Sequence, residues 1–307
     1  MRFNPIVQPG FNTSLMGVVK GVLDYLGIVI SEPAVFGMTG HAFLINIHDV
    51  LCSSGPYCWK HDGMARLMQN LGITMEDMGF YQPDNPIEDR MQVETLIRTS
   101  MDKGKICSVL NMDHQLVYAC DDTHFKLCVP WPECAENTPE TLTFGTWKEF
   151  GDDFHCQFFA FCKTGVLNYD KAVRESLAYA LEMLKNPDTY SAEPYAMGLK
   201  AYDQWCNALK EGHGNNNGNL WNATVWSECR TMAAKYMDEI SNRYGQDIAY
   251  LSQQMSAAYW VIAQNLDFAG DTKLPVNRRI DLLKESAELE TDLISKIEIL
   301  LPLLPQS

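Results

Sequence analysis

Basic residues are scarce in this chain. Its 307 residues include 24 lysines and arginines against 39 aspartates and glutamates, which gives a formal net charge of -15. A surface that binds nucleic acid needs clustered positive charge to neutralise phosphates, and anionic membranes attract the same kind of surface. The charge balance therefore argues against a nucleic-acid partner and against a membrane partner.

Long apolar runs are also missing. No stretch approaches the ~20 apolar residues that a membrane-spanning helix needs. The start, Met1–Ile6, has no apolar signal core behind Arg2, and Pro9-Gly10 follows at once. With 46% hydrophobic and 21% charged residues, the composition is typical of a globular protein. We therefore expect a cytoplasmic protein.

The ten cysteines include no Cys-x-x-Cys pair, which is the spacing typical of redox motifs and ribbon-type zinc sites. In the reducing cytosol we expect thiols and not disulfides. The densest cluster of soft ligands is His48, Cys52, Cys58 and His61, which could close a tetrahedral zinc site. Its spacings match no common zinc module, so a zinc-stabilised interaction protein is an alternative. The leading interpretation has no metal and no cofactor.

The order of the periodic segments predicts strands first and helices afterwards. Helical apolar spacing is found at 15–26, 63–70 and 92–103. Strand-like segments are Ala42–Ile47, Ile106–Leu110, Gln115–Cys120, Phe125–Val129 and Phe154–Phe161. From Asn168 onwards the predicted helices are Tyr169–Leu184, Tyr195–Glu211, Leu220–Tyr244, Ile248–Leu266 and Pro275–Leu301. This order predicts an α+β fold, with an α/β domain over residues 1–165 and an all-α helical bundle domain over residues 166–307.

A family pattern occupies the first forty residues. Its segments are Thr13-Ser14-Leu15-Met16-Gly17, Asp24-Tyr25-Leu26-Gly27, Ile30-Ser31-Glu32-Pro33 and Val35-Phe36-Gly37. The pattern resembles the amino-terminal domain of the butirosin-biosynthesis protein H family, which belongs with the papain-like and bacteriocin-processing cysteine-peptidase folds. The resemblance covers roughly the first half of the chain and implies a papain-like domain there. The family's parent protein moves an aminoacyl group from a carrier protein to an aminoglycoside, so the resemblance also implies thioester or amide chemistry through an acyl-enzyme.

The family's catalytic residues carry over only in part. A His-Cys pair opens the first helix in the family, and Thr13-Ser14 stands there in this chain, so Ser14 occupies the nucleophile position. The strand histidine of the bacteriocin-processing enzymes matches His114. The Asp-Pro that follows in the family is Val129-Pro130 here. Asp113 is not expected to replace that aspartate, because adjacent residues on a strand point to opposite faces.

Two interpretations follow. In the first, Ser14 and His114 form a catalytic dyad oriented by Asn111, and His41 is a second acid/base group in the same cleft. The chain would then be an acyltransferase or an amide or thioester hydrolase acting on a small molecule. In the second, the chain is a non-catalytic relative that binds a small molecule, and His41 is a histidine satisfied by hydrogen bonds at a strand start. A hydroxyl without a well-placed base is a weak nucleophile, which favours the second interpretation.

The helical half is either a substrate cap or a dimerisation module that makes a homodimer, because both need apolar helix faces. A small-molecule ligand or acyl donor is expected in a cleft between the two halves. The acidic run Glu285, Glu288 and Glu290 predicts a solvated helix face. A solvated face is also expected for Glu228 and Arg230, with a position in a domain cleft as the alternative. The loop Gly212–Asn219 suits either an exposed connector or a polar lid.

Overall fold

The computed structural model describes residues 6–131 and 138–306. Its helices are α1 (Ser14–Tyr25), α2 (Glu32–Met38), α3 (Asp62–Met68), α4 (Ile87–Asp102), α5 (Tyr169–Lys185), α6 (Leu199–Lys210), α7 (Asn217–Arg243), α8 (Gln246–Gly270) and α9 (Val276–Leu300). Its strands are β1 (Asn46–His48), β2 (Ile73–Tyr81), β3 (Ile106–Leu110), β4 (His114–Cys120), β5 (His124–Leu127), β6 (Thr141–Thr143), β7 (Cys156–Lys163) and β8 (Tyr195–Met197). The α+β class is therefore confirmed, with the main sheet in the amino-terminal half and helices in the carboxy-terminal half.

The chain forms two compact units. Unit 1 comprises the described residues up to Ile30 together with Leu71–Leu167, and unit 2 comprises Ser31–Asn70 together with the described residues from Asn168. The predicted domain boundary after residue 165 lies close to Leu167, where the chain leaves unit 1 for the last time and enters unit 2. The segment 31–70 was predicted to belong with the strands, whereas it packs within the helical unit.

Unit 1 is built on a six-stranded antiparallel sheet in the order β2-β7-β3-β4-β5-β6. Helix α1 packs against β4, and α4 packs against β3 and β2. Helix α1 also lies directly on the segment that precedes it. A Cβ at Gly17 would be 2.4 Å from the Pro9 carbonyl oxygen, and one at Gly21 would be 2.5 Å from that of Val7. Only glycine permits this approach, which fixes the position of Ser14 at the start of the helix.

Unit 2 combines the small antiparallel pair β1-β8 with helices. Helix α7 packs along α8, α8 along α9, and α2 against α7. The contact between α2 and α7 is close, because a Cβ at Gly37 would lie 2.1 Å from the Tyr236 ring. The run predicted as uninterrupted helix after Asn168 is therefore broken by β8, which pairs with a strand far away in sequence.

The interior of unit 2 contains an ion pair that the sequence assigned to solvated helix faces. Arg230 Nε donates to Glu290 Oε1 at 2.6 Å, and both side chains are buried. Arg230 Nη1 also donates to the carbonyl oxygens of Ala42 and Leu44 at 3.0 and 2.8 Å, and Tyr202 Oη donates to Glu290. The predicted solvated face was wrong at both positions, because each charge finds its partner on another helix.

A local prediction changed once the chain folded. The strand expected at Ala42–Ile47 is a 3₁₀ turn, His41–Phe43, followed by β1. The loop Gly212–Asn219 contains a 3₁₀ turn, His213–Asn215, and leads into α7, with residues 212 and 215–217 exposed and residues 214, 218 and 219 buried. Asn216 caps α7 by accepting the Asn219 N–H, and the buried Asn219 side chain accepts from Trp205 Nε1. Within residues 6–131 and 138–306, no helix has the length and apolar character needed to cross a membrane.

Candidate functional site

Ser14 is the first residue of α1 and is fully buried, with 0% of its surface exposed. Its Oγ donates a hydrogen bond to Asp113 Oδ1 at 3.1 Å. The same oxygen accepts the backbone N–H of His114 at 2.9 Å. Because a hydroxyl has a single proton, the Ser14 proton is directed at the Asp113 carboxylate.

Asp113 reaches Ser14 because it lies in the turn between β3 and β4, one residue before β4 begins. The Asn111 N–H donates to the Asp113 carbonyl oxygen at 3.3 Å across this turn. The expectation that Asp113 would face away from the site relied on strand alternation, which does not apply to a residue in a turn. The Asp113 carboxylate, which was expected to point away from the site, is therefore the hydrogen-bonding partner of Ser14.

Gln8 is a second residue of this cluster that the sequence did not reveal. Its Nε2 donates to the His114 carbonyl oxygen at 2.7 Å, and its Oε1 accepts the Leu116 N–H at 2.8 Å. The carboxamide thus binds the β4 backbone through both of its polar atoms. No periodic pattern marks a glutamine in the irregular segment before α1, so sequence reasoning had no signal for this contact.

His114 begins β4 and is buried. Its ring lies 5.8 Å from the Phe159 ring, measured between centroids, in a tilted arrangement. The hydrogen bond that joins His114 to Ser14 uses the His114 backbone amide and not its imidazole. Ser14, Asp113 and His114 do meet in unit 1, but the arrangement is that of a hydroxyl held by a carboxylate and a main-chain amide.

His41 lies in unit 2, in the 3₁₀ turn that follows α2, and is buried. Gly40 before it has φ +77°, and a Cβ there would lie 2.5 Å from the Tyr179 ring. Gly40 is therefore packed against the Tyr179 side chain of unit 2. This contact fixes the entry of the chain into the turn that carries His41.

Aromatic rings and a thiol surround the His41 imidazole. The Trp226 ring stacks on it with a centroid distance of 6.4 Å and an interplanar angle of 23°, and the Trp59 ring meets it edge-on at 5.6 Å. Phe36 makes another edge contact at 6.4 Å. Cys229 Sγ lies 3.6 Å from His41 Nδ1. The imidazole is thus held in a mostly apolar setting with one weak hydrogen-bonding partner.

The His41 imidazole is neutral at physiological pH. Burial, the nearby His61 and, to a smaller extent, the Arg230 charge lower the pKa of His41 from 6.5 to about 3, against a backbone hydrogen bond that raises it. Such an imidazole is a poor proton acceptor at neutral pH, although it remains a good hydrogen-bonding group. Its Nε2 is buried and makes no hydrogen bond within the described part of the chain.

The four residues proposed for zinc do not gather around one point. Cys52 and Cys58 are exposed, and His48 Nδ1 accepts the Val50 N–H at 3.2 Å. Across residues 6–131 and 138–306, no group of three or more histidine, cysteine, aspartate or glutamate side chains is placed to hold a metal ion. The zinc-stabilised alternative therefore has no geometric support at His48, Cys52, Cys58 and His61.

Two buried polar centres, one in each unit, are thus the candidates for function. The Ser14 hydroxyl has its hydrogen bonds made within unit 1, whereas the His41 ring has one nitrogen unbonded within the described residues. Comparison of the chain with protein-family models and with curated proteins gave no match in either case.

Proposed function

We propose that the chain is a non-catalytic, small-molecule-binding relative of the cysteine-peptidase-like enzymes, with unit 1 as the cysteine-peptidase-type domain. The resemblance of the first forty residues supports the family, and the packing of α1 against an antiparallel sheet is compatible with that domain. The observation that carries the proposal is the bonding of Ser14, whose hydroxyl is satisfied by Asp113 and by the His114 amide.

A serine nucleophile needs a base that takes its proton as the new bond forms. In unit 1 the Ser14 proton is directed at the Asp113 carboxylate, and the bond between His114 and Ser14 is made by the His114 main-chain amide. An attacking oxygen also needs access to the substrate, whereas Ser14 is buried and its oxygen already accepts a main-chain N–H. These contacts suit a hydroxyl that joins the start of α1 to the start of β4.

The proposed ligand contact is His41 Nε2. A buried polar atom without a partner costs about 1–3 kcal/mol, so a ligand atom that bonds to it gains a favourable interaction. The surrounding Trp59, Trp226 and Phe36 rings supply the apolar lining that small-molecule sites use around a few polar groups. A neutral imidazole has the further advantage that it adds no charge to be desolvated when the ligand binds.

The ligand class follows from the tautomer. Cys229 Sγ lies 3.6 Å from His41 Nδ1, and in the tautomer that we propose the thiol donates to Nδ1, so that the ring proton on Nε2 can be donated to a carbonyl oxygen. Amides and thioesters present such an oxygen, and they are the compounds that the family resemblance implies. We therefore propose a small amide or thioester as the ligand, bound and not turned over.

The test compares binding and turnover of one small thioester, S-acetyl-N-acetylcysteamine, by the full chain. Isothermal calorimetry measures binding to the wild type, Ser14→Ala, His41→Gln and His41→Asn. Glutamine places an amide nitrogen near the position of Nε2, whereas asparagine places its amide near Nδ1. We expect binding by the wild type, Ser14→Ala and His41→Gln, and a loss of at least tenfold in affinity, about 1.4 kcal/mol, for His41→Asn.

Three results would overturn the proposal. Release of the thiol by the wild type but not by Ser14→Ala would establish the acyltransferase or hydrolase alternative. Equal affinity of His41→Asn and the wild type would remove His41 from the site. An absence of binding by every form would reject this ligand class.

A further inference from the structure

Arg279 is a buried arginine of unit 2 that makes no ion pair. The residue is 1% exposed, and no carboxylate oxygen lies within 4.0 Å of its nitrogens in the part of the chain that the structure describes. Its Nη1 donates to the Gly214 carbonyl oxygen at 2.8 Å, while its buried Nε makes no hydrogen bond among the described residues. Burying a guanidinium costs free energy unless a negative partner is close, so the charge of Arg279 is incompletely compensated.

Arg230, the other fully buried arginine of unit 2, has the partner that Arg279 lacks. Arg230 Nε donates to the Glu290 carboxylate at 2.6 Å, and its Nη1 donates to two carbonyl oxygens. The nearest acid that acts on Arg279 is Asp271, which raises the pKa of Arg279 but does not offset the lowering caused by burial. Arg279 therefore has room for a further negative charge.

Helix α9 begins three residues before Arg279, and its start is uncapped. Pro275 at the N-cap position makes no side-chain hydrogen bond to the helix, and the first turn contains no acidic residue. The N–H groups of Val276, Asn277 and Arg278 donate to no group within residues 6–131 and 138–306. Free N–H groups at the positive end of a helix dipole attract anions. The start of α9 therefore offers a row of donors to an anion.

The buried charge and the free N–H groups belong to the same turn of α9. Helical side chains lean towards the N-terminus of their helix, so the Arg279 side chain points back towards this start. A Cβ at Gly214 would lie 2.5 Å from Arg279 Nη2, so the guanidinium packs directly on that glycine. Residues 275–278 are exposed and 279 is buried. An anion on the exposed N–H groups is therefore attracted by a guanidinium that is shielded from water.

The charge around this helix start is positive, although the whole chain has a formal net charge of -15. The stretch 271–280 contains Lys273, Arg278 and Arg279 and a single acid, Asp271. Charges farther away than the Debye length, about 8 Å at physiological ionic strength, are largely screened. The local cations therefore outweigh the acidic remainder of the chain for a small anion that binds at this point.

We propose that the start of α9 binds the phosphate group of a small molecule, through the N–H groups of Val276, Asn277 and Arg278 and the charge of Arg279. A phosphate suits this arrangement because its oxygens accept several N–H bonds at once and its negative charge supplies the missing partner of the guanidinium. The site uses neither His41 nor Ser14, so it does not depend on the function proposed above.

Phosphorus-31 NMR of inorganic phosphate, titrated with the full chain at a constant ionic strength set by sodium chloride, tests the site. We expect saturable binding by the wild type and a dissociation constant at least tenfold higher for Arg279→Gln. Arg174→Gln is the matched control, because Arg174 also bonds carbonyl oxygens, those of Leu304 and Pro305, and makes no ion pair within the described residues. The control should bind phosphate as the wild type does.

Val276→Pro tests the helix start without altering Arg279. Proline is tolerated at the first position of a helix and removes its N–H, and the extended Pro275 backbone, with ψ 142°, accepts a proline after it. One lost hydrogen bond should weaken binding by about threefold or more. Circular dichroism checks that each variant is folded.

Phenyl phosphate, titrated in the same way, distinguishes the two sources of the phosphate group. Tighter binding of phenyl phosphate than of inorganic phosphate would support a phosphate ester as the ligand, and equal binding would support the free ion. Three results would overturn the proposal: no binding of either compound by the wild type, equal affinities of Arg279→Gln and Arg174→Gln, or a Val276→Pro variant that binds as tightly as the wild type.

Discussion

The two units each bury a polar centre, and the two centres are bonded differently. In unit 1, Ser14 gives its proton to Asp113 and accepts the amide proton of His114. In unit 2, His41 meets Cys229 through Nδ1, while its buried Nε2 has no partner among the residues that the structure describes. The Ser14 hydroxyl, whose bonds are made within the fold, serves stability, whereas the His41 nitrogen, unbonded beside aromatic rings, is the proposed contact for a ligand.

The family pattern directs attention to residue 14, whereas the unbonded nitrogen lies on residue 41. The pattern aligns residue types along the chain but does not reveal what each side chain bonds to after folding. Ser14 occupies the nucleophile position and its hydroxyl is nevertheless committed. His41, which the sequence treated as a supporting residue, retains the unused hydrogen-bonding capacity.

The largest effect is expected from the ion pair that holds the main chain beside His41. Arg230 bonds the carbonyl oxygens of Ala42 and Leu44, and Glu290 neutralises it. Glu290→Gln leaves the buried guanidinium without a counter-charge, so we expect a loss of about 3–5 kcal/mol in the free energy of unfolding, measured by urea denaturation.

The control for this change is Glu298→Gln, which breaks the exposed pair between Glu298 and Lys185. Surface pairs contribute about 0–1 kcal/mol, so this variant should stay close to the wild type. If Glu290→Gln proved equally mild, the ion pair would not be what anchors the turn that carries His41.

The second largest effect that we expect is a pH dependence of the free energy of unfolding, and it is caused by His41. Its pKa is lowered from 6.5 to about 3 in the folded protein, so between these values the unfolded chain takes up a proton that the folded chain does not. Stability is therefore lost as the pH falls through this window, by up to about 1.4 kcal/mol per pH unit, or about 2 kcal/mol from pH 7 to pH 5.

Urea unfolding at the two pH values measures this contribution. His41→Gln should remove about 2 kcal/mol of the wild-type difference. Ser14→Ala should retain the difference in full, because serine does not titrate in this range. An unchanged pH dependence in His41→Gln would mean that His41 is not held neutral by burial, and the contrast between the two centres would weaken.

The third effect is a difference in stability cost between two buried serines of unit 1, one with a hydrogen-bonded hydroxyl and one without. Ser14→Ala leaves Asp113 and the His114 amide short of a partner and should cost about 1–3 kcal/mol. Ser108 on β3 is equally buried, but its hydroxyl makes no hydrogen bond within the described residues. Ser108→Ala should therefore be neutral or slightly stabilising. Equal costs at both positions would contradict the structural role given to the Ser14 hydrogen bonds.

Local patterns were enough to predict much of the fold. Alternating apolar residues located β3 and β4. The turn Asp121–His124 that leads from β4 to β5 is closed by the Asp121 carboxylate, which accepts the N–H groups of Thr123 and His124. The long helices of unit 2 were also located from their apolar spacing. Strand β2 was missed, since most of its residues are partly or fully exposed and its apolar pattern is weak.

Contacts between distant residues were not predictable from one sequence. Glu290 lies 60 residues from Arg230, and Asp113 lies 99 residues from Ser14. A charged residue on a helix is assigned to solvent by default, and only the packing of a second helix reveals its partner. For the same reason the His41 centre was invisible, because its rings come from α2, α7 and the segment before α3.

The most direct test of the central claim is the intact mass of the full chain after exposure to a fluorophosphonate probe, with an active serine hydrolase in the same reaction as a positive control. We expect the hydrolase to gain the mass of the probe and this chain to gain none, because the Ser14 proton is bound to Asp113 and the hydroxyl is buried. A mass gain that maps to Ser14 and disappears in Ser14→Ala would contradict the claim and would identify the chain as a serine enzyme.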